Sequence, residues 1–388
     1  VELRIAQYLL IALPVAMLLS TSAAVGLEIA AYILFAWSPA LRARLIASLK
    51  QPASVALAAF ALALVLGTFH GLVPWQARLE SLLGWRKLLL FFLAMAAFDS
   101  VDSKERFLKT FLAFCVAAAL LSYFAAATSL TIHRYGGGVI LKDHTVQGMM
   151  FAVGVGIALH AGVSAAYLAA AALLVSNIVF VTPGRNGYLA LLIIAPLMRI
   201  RHTWKSGLIV LIACAALLAA SSQARDRLVR GFLEFKNFQQ ATELSDMGFR
   251  VAMWMNATNI ISSAPLLGVG TGSFEAAYDR EVAGRTDWWG TRTNDPHNQY
   301  LKVWAEQGIF GLLTLLGFIA LALRTRSTHA RHAVAVLLAW CAASLFGSYF
   351  SRFVEGRFIF LWLGVLLAPV SARDESAGVA GPLTCARR

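Results

Sequence analysis

The stretch "NDPHNQYLKVWAEQGIFGLL" (residues 294–313) begins polar and ends apolar, and the apolar character continues to Leu323. A run from 298 to 323 is long enough to cross a bilayer as a helix, which takes about 20 residues. Asp295 is placed to cap that helix, Pro296 suits its first turn, and His297 stands at its mouth. The same kind of run recurs along the chain. Of 388 residues, 59% are hydrophobic and 14% charged, whereas soluble proteins carry about 25% charged residues. The runs are continuous rather than alternating, which excludes a closed barrel. The fold class is therefore an all-α polytopic membrane protein.

Twelve spans are expected, at about 3–20, 21–38, 53–71, 84–98, 108–128, 145–161, 163–181, 184–199, 204–221, 298–323, 331–350 and 356–371. The first two form a tight hairpin, or one of them lies in the interface. The first block lacks a clear cleavage signal and reads as a retained helix. This organises the chain into helices 1–9 over 1–221, a long loop with short helices over 222–297, helices 10–12 over 298–371, and a tail over 372–388. Cys115, Cys214 and Cys341 lie inside apolar runs and Cys385 in the tail, so no disulfide framework or Cys-x-x-Cys metal pattern is present.

A net charge of +13 would point to nucleic acid in a soluble protein; here its placement is a topology signal. With the N-terminus cytoplasmic, sixteen basic residues fall on the cytoplasmic side and eight in the short loops opposite, as the positive-inside rule requires. The remaining nine lie between 222 and 302, together with nine carboxylates from Asp226 to Asp295. A connection of roughly 75 residues exceeds ordinary loops and reads as a functional element with its own structure. Within it, "FRVAMWMNATNIISS" (249–263) has helical character, and "APLLGVGTGSFEAAY" (264–278) is a Pro/Gly-broken turn entering a short helix.

Three positions on the outer side stand out. In "TPGRNGY" (182–188), Arg185 opens a helix, where free N–H groups and a guanidinium together suit an anion, or where the side chain reaches lipid headgroups. Arg250 begins the helix 249–263 and either serves a site or pairs with Asp246. His297, at a helix N-terminus, is expected to stay neutral and able to accept a proton, or to serve as a locally bonded cap residue. Gly308 and Gly311 would let another helix approach closely. Glu306 falls on the opposite face from His297, deeper in the span, and needs a partner of its own.

Weaker signals surround these. "GVGTGS" (268–273) lacks the lysine of a phosphate-binding loop and reads as a turn. The carboxylates of "DRE" (279–281) diverge on a short helix, which argues against a metal site. "NAT" (256–258) fits an N-glycosylation pattern. Trp288 and Trp289 fit the membrane interface or a sugar platform. "HRYGGGVILKDH" (133–144) brings histidines and cations to the same side and can line a site or form a flexible loop.

Taken together, "TPGRNGY", "FRVAMWMNATNIISSAPLLGVGTGSF" (249–274) and "HNQYLKVWAEQGIFGLL" (297–313) closely resemble the bacterial O-antigen ligase and polymerase superfamily, over about residues 140–320. The lipopolysaccharide O-antigen ligase branch fits best, because polymerases tend to have two large outer loops and one is found here. The chain departs from the pattern at Gly184, where relatives often carry serine. The resemblance implies an architecture like the C-type membrane glycosyltransferases, with the active site facing the periplasm at the bacterial inner membrane. It implies a glycan donor on undecaprenyl pyrophosphate, a sugar hydroxyl of lipid A–core oligosaccharide as acceptor, no cofactor and no metal. It places the catalytic histidine at His297 as general base and the pyrophosphate-binding arginines at Arg185 and Arg250; Arg225 and the 133–144 loop are second-line candidates. Direct attack by the hydroxyl inverts the anomeric centre. The rival readings are an O-antigen polymerase, a protein O-oligosaccharyltransferase, and a lipid-linked glycan transporter. The last would concentrate polar residues at midplane between repeated halves, and no repeat is visible.

Overall fold

Each regular element in the computed structural model is a helix; it describes residues 1–128, 130–131, 137–182, 184–200, 203–238 and 245–370. His133 and Arg134 of the 133–144 loop, and the tail expected over 372–388, lie outside the described residues. Helices Glu2–Leu19, Val101–Ala127 and Gln299–Arg324 are long and apolar enough to cross a membrane. Two further spans arise if each sharply bent pair counts as one: Thr21–Trp37 with Pro39–Ser48, at 98°, and Trp204–Ala220 with Ser222–Lys236, at 89°. Other apolar runs form shorter helices such as Pro52–Leu66, Ala165–Phe180 and Ala330–Ala343. Large apolar side chains such as Leu120, Phe124, Ile209, Ile212, Leu313 and Leu316 face outward, as lipid-facing surfaces do.

The run expected as one span at 84–98 is divided into Trp75–Gly84, a 3₁₀ turn Trp85–Leu88 and Leu89–Ala97. The run expected at 331–350 is helical only to Ala343. Residues 344–352 leave the helix as an irregular turn, because Gln299 Oε1 holds them from outside it, accepting from the N–H groups of Phe350 and Ser351 at 3.0 Å. The hairpin expected at the N-terminus forms as Glu2–Leu19 and Thr21–Trp37, joined through Ser20, whose side chain caps the second helix.

The interior is built around Phe353–Leu367, whose Phe358 stacks with both Trp340 and Trp362. It also contains charge. Glu28 accepts from Arg357 Nε at 2.9 Å, with Arg86 at 3.5 Å and Tyr32 hydroxyl at 2.6 Å, so the buried carboxylate and guanidinium compensate each other. Polar contacts join elements distant in sequence. Lys142 reaches Thr21, and Lys87 reaches the carbonyls of Ser351 and Arg352. Arg44 pairs with Asp99, and Lys104 reaches the carbonyls of Leu366 and Ala368.

The helix Gln299–Arg324 is interrupted at Gly308, where φ is 67° and ψ is −170°. The neighbour that comes close there is a turn, not the helix expected from the glycine spacing. Val269 N–H donates to Ala305 O at 2.8 Å, Gly270 N–H to Glu306 O at 2.9 Å, and Ile309 N–H to Pro265 O at 3.0 Å. The helix opens, and the 265–270 turn takes the hydrogen bonds released. Glu306 gains its partners in the same place: its carboxylate accepts from Gln307 Nε2 at 3.2 Å and Phe274 N–H at 3.4 Å. A Cβ on Gly308 would lie 2.0 Å from Leu266 O. Gly308→Ala is therefore expected to lower stability by about 1–3 kcal/mol for the left-handed backbone alone, with the clash adding to it. A thermal midpoint in detergent unchanged from the parent protein would refute this reading.

Candidate functional site

The helix Arg185–Arg199 starts at Gly184, where a Cβ would sit 3.2 Å from His144 Cδ2. One turn in, Gly187 crosses Gly148 of helix His144–Ala161 so closely that a Cβ on either would lie within 3.0 Å of the other's Cα. This crossing fixes the first turns of both helices side by side, with Arg185 and His144 at their mouths. Asp143 caps the second helix, accepting from Thr145 and Val146 N–H groups at 2.8 Å.

The long segment folds over these mouths. Its first helix, Ser222–Lys236, bends sharply from the apolar helix before it and carries Arg227 and Gly231 one turn apart on one face. Gly231 is where the guanidinium of Arg185 lies: a Cβ there would be 3.0 Å from Arg185 Cζ. The second helix, Asp246–Ser263, is capped by Ser245 and presents Arg250 in its second turn. Together these helices enclose a pocket of about 710 Å³. Arg185, Arg227, Arg250 and Asn186 supply its polar end, and Leu192, Leu218, Phe232, Phe235 and Phe346 its apolar wall.

Arg185 and Arg250, the two arginines singled out in the sequence, both line this pocket. Neither forms an ion pair or a side-chain hydrogen bond among the described residues, so the anticipated Arg250–Asp246 bridge is not made. Burial, and the nearby cations Arg185 and Arg352, pull the Arg250 pKa down. Arg225 does not join them. It is exposed, donates to Ala219 O at 3.1 Å and lies off the pocket lining. Arg227, which sequence reading passed over, occupies the place assigned to it. Residues two apart on a helix point in widely different directions, and the shared spacing of Arg227 and Gly231 was the available signal.

His297 adjoins this pocket through its neighbour Asn298, which is on the lining. The helix start differs from expectation. Asn298, not Asp295, caps the Gln299–Arg324 helix, accepting from Tyr300 and Leu301 N–H groups at 3.0 and 3.1 Å. Asp295 Oδ1 instead accepts from His297 N–H at 3.0 Å and Ser348 Oγ at 2.5 Å. That turn holds His297 at a φ of 50°, left-handed backbone that histidine and asparagine tolerate better than most side chains. The imidazole pKa is lowered, first by burial and then by Arg352, Arg250 and Lys302, against the opposing pull of Asp295. Its expected neutrality thus arises from burial and cations rather than from the helix N-terminus.

The irregular 344–352 turn completes the arrangement, and nothing in its apolar sequence announced it. Asn186 Nδ2 donates to Tyr349 hydroxyl, the Arg352 guanidinium lies 4.9 Å from the Tyr349 ring centre, and Asn298 Nδ2 donates to Leu345 O at 3.2 Å. The turn thereby ties the Arg185 helix to the His297 helix. Other expectations resolve locally. Asn256 of "NAT" is 2% exposed and donates to Tyr278 hydroxyl, so it is no glycosylation acceptor. In "DRE", Asp279 pairs with Arg292 at 3.6 Å and Glu281 accepts from Asn259 at 2.8 Å, in separate directions. Trp288 and Trp289 pack on each other, with ring centres 4.7 Å apart.

No curated protein matches the chain. Residues 149–316 match the model of a family described as O-antigen ligase, a segment that contains Arg185, Arg227, Arg250 and His297. Over this segment the chain is similar to the O-antigen ligase family.

Proposed function

We propose that the protein is an inverting glycosyltransferase that ligates O-antigen polysaccharide from undecaprenyl pyrophosphate onto a sugar hydroxyl of lipid A–core oligosaccharide, at the periplasmic face of the inner membrane. The observation that carries this reading is the pocket: three arginines at one end, an apolar wall at the other, and His297 beside it. A lipid diphosphate has the same division. Its charged head suits guanidinium groups, which bind phosphate oxygens bidentately, and its hydrocarbon chain suits the leucines and phenylalanines.

Chemically, the acceptor oxygen forms a bond to the anomeric carbon as the bond from that carbon to the diphosphate oxygen breaks. The hydroxyl proton passes to the neutral imidazole of His297. The charge growing on the leaving undecaprenyl pyrophosphate is met by Arg185, Arg227 and Arg250, side chains fixed before the reaction begins. Ligation is favoured over polymerisation by the single long segment between apolar helices, and the charge asymmetry supports the periplasmic placement. The test is purified protein with a defined lipid-linked glycan and core oligosaccharide, the product identified by mass spectrometry. A covalent product retaining the donor's anomeric configuration, or a glycan moved across vesicles without any product, would overturn the proposal. Activity abolished by chelators would overturn its metal-independent form.

A pH dependence follows from the base. Only the neutral imidazole accepts a proton, and its pKa lies below the ordinary 6.5. kcat/KM is therefore expected to hold through neutrality and fall as pH drops through that lowered value. Arg352→Gln removes one of the depressing cations, so the acid limb should move to higher pH. A limb that moves down or stays fixed in this variant would exclude His297 as the titrating group.

A further inference from the structure

A second pocket, of about 230 Å³, lies beside the first. Its lining includes Trp85, Glu275, Asn294, Lys302, Glu306 and Ser351. It exists because the Gln299–Arg324 helix breaks at Gly308, which lets the 265–274 turn pack in and leaves the Glu306 carboxyl on the cavity instead of against lipid. Two short pieces of chain, 294–302 and 345–351, contribute to both cavities. The first cavity touches them at Asn298 and Leu345–Phe346, the second at Asn294, Lys302 and Ser351. His297, Asp295, Ser348 and Tyr349 lie within those pieces. Lys302 faces the second cavity, donates to Asn294 O at 3.4 Å, and is also one of the cations acting on His297.

The two cavities differ in chemistry. The first offers three arginines and suits a diphosphate. The second offers two carboxyl groups, one ammonium, an amide, two hydroxyls and an indole. Its carboxyls disfavour an anion, while its mixed donors and acceptors match a ring of hydroxyl groups, which both donate and accept. Its volume is below that of drug-sized sites, about 300–1,000 Å³, and limits the occupant to a single ring.

We propose that this second pocket binds one neutral pyranose, the acceptor sugar that carries the attacking hydroxyl, with Glu275, Asn294 and Lys302 as its hydrogen-bonding groups. The proposal rests on the glycosyl-transfer reading. Inversion needs the nucleophile on the face of the donor sugar opposite the leaving group, so the acceptor ring is held away from the diphosphate, with its hydroxyl reaching the anomeric carbon beside His297.

Glu275 and Asn294 are exposed, so Glu275→Gln and Asn294→Ala can be made without disturbing the core. In the transfer assay, each variant is expected to raise KM for the core acceptor by about tenfold, as loss of one or two hydrogen bonds does, with KM for the lipid-linked donor unchanged. A raised donor KM, or both constants unchanged, overturns the subsite. Binding is read separately by saturation-transfer NMR on the detergent-solubilised protein, with methyl glycosides and inorganic diphosphate as probes. Methyl glycoside binding should weaken in Glu275→Gln and Asn294→Ala and persist in Arg185→Ala, and diphosphate binding should show the reverse. Glycoside binding that follows this pattern in a protein without transferase activity would support the subsite and sink the transfer reading. Glycoside binding insensitive to both second-pocket variants, in an active enzyme, would sink the subsite alone.

Discussion

His297→Asn is expected to lower the single-turnover rate of glycan transfer by about 10²–10⁴-fold, the usual contribution of a positioned general base. Asparagine is the informative replacement. It tolerates the left-handed backbone at φ 50°, whereas alanine would add strain to the Asp295–His297–Ser348 turn and confuse loss of base with loss of shape. Asparagine also cannot accept a proton near neutral pH. Donor affinity should change little, because the diphosphate is held by the arginines across the pocket. A single-turnover rate within a few-fold of the parent, with the protein folded, would remove His297 from the mechanism.

The second large effect is expected at the arginines. Arg250→Ala should lower kcat/KM by about 10²–10³-fold, the scale seen when one preorganised donor to a developing negative charge is removed. Arg250→Lys should recover only part of this, since an ammonium keeps the charge but not the bidentate fork. Arg185→Ala should behave similarly. Because both groups serve one diphosphate, the double variant should lose less than the product of the single losses. Arg225→Ala provides the contrast: its guanidinium is exposed and bonded to Ala219 O, so its rate should stay near the parent value. Steady-state kinetics on the five variants decide this, and a loss at Arg225 as large as that at Arg250 would contradict the geometry.

What could be read from the sequence follows a physical division. Long apolar runs specify helices because the bilayer leaves backbone groups no other partner, and the bent helix Ser222–Lys236 apart, the main elements of the long segment were visible in periodicity and glycine placement. Arg185 and Arg250 were legible because each stands near the start of a helix, and His297 because it stands at the border between polar and apolar chain. The errors arose where tertiary contacts decide. Asp295 looked like a cap, but Ser348 and His297 N–H claim its carboxylate, and Asn298 caps in its stead. Arg225 and Arg227 are equivalent in composition; only the bend of their helix turns one inward. The 344–352 turn reads as membrane helix, and it leaves the helix because side chains far away in sequence, Gln299 and Asn298, hold its backbone.

The break at Gly308 has a mechanical consequence. The short stub bearing Asn298 through Gln307 is bonded through its last turn to the 265–270 segment, and the apolar length from Ile309 to Arg324 starts from the same segment, at the bond from Ile309 N–H to Pro265 O. Both sides of the break are thus riveted to one turn, which pairs the backbone groups that a straight helix would pair internally. The footing of the chain below His297 is in this way the folded 265–270 turn, and not a continuous helix.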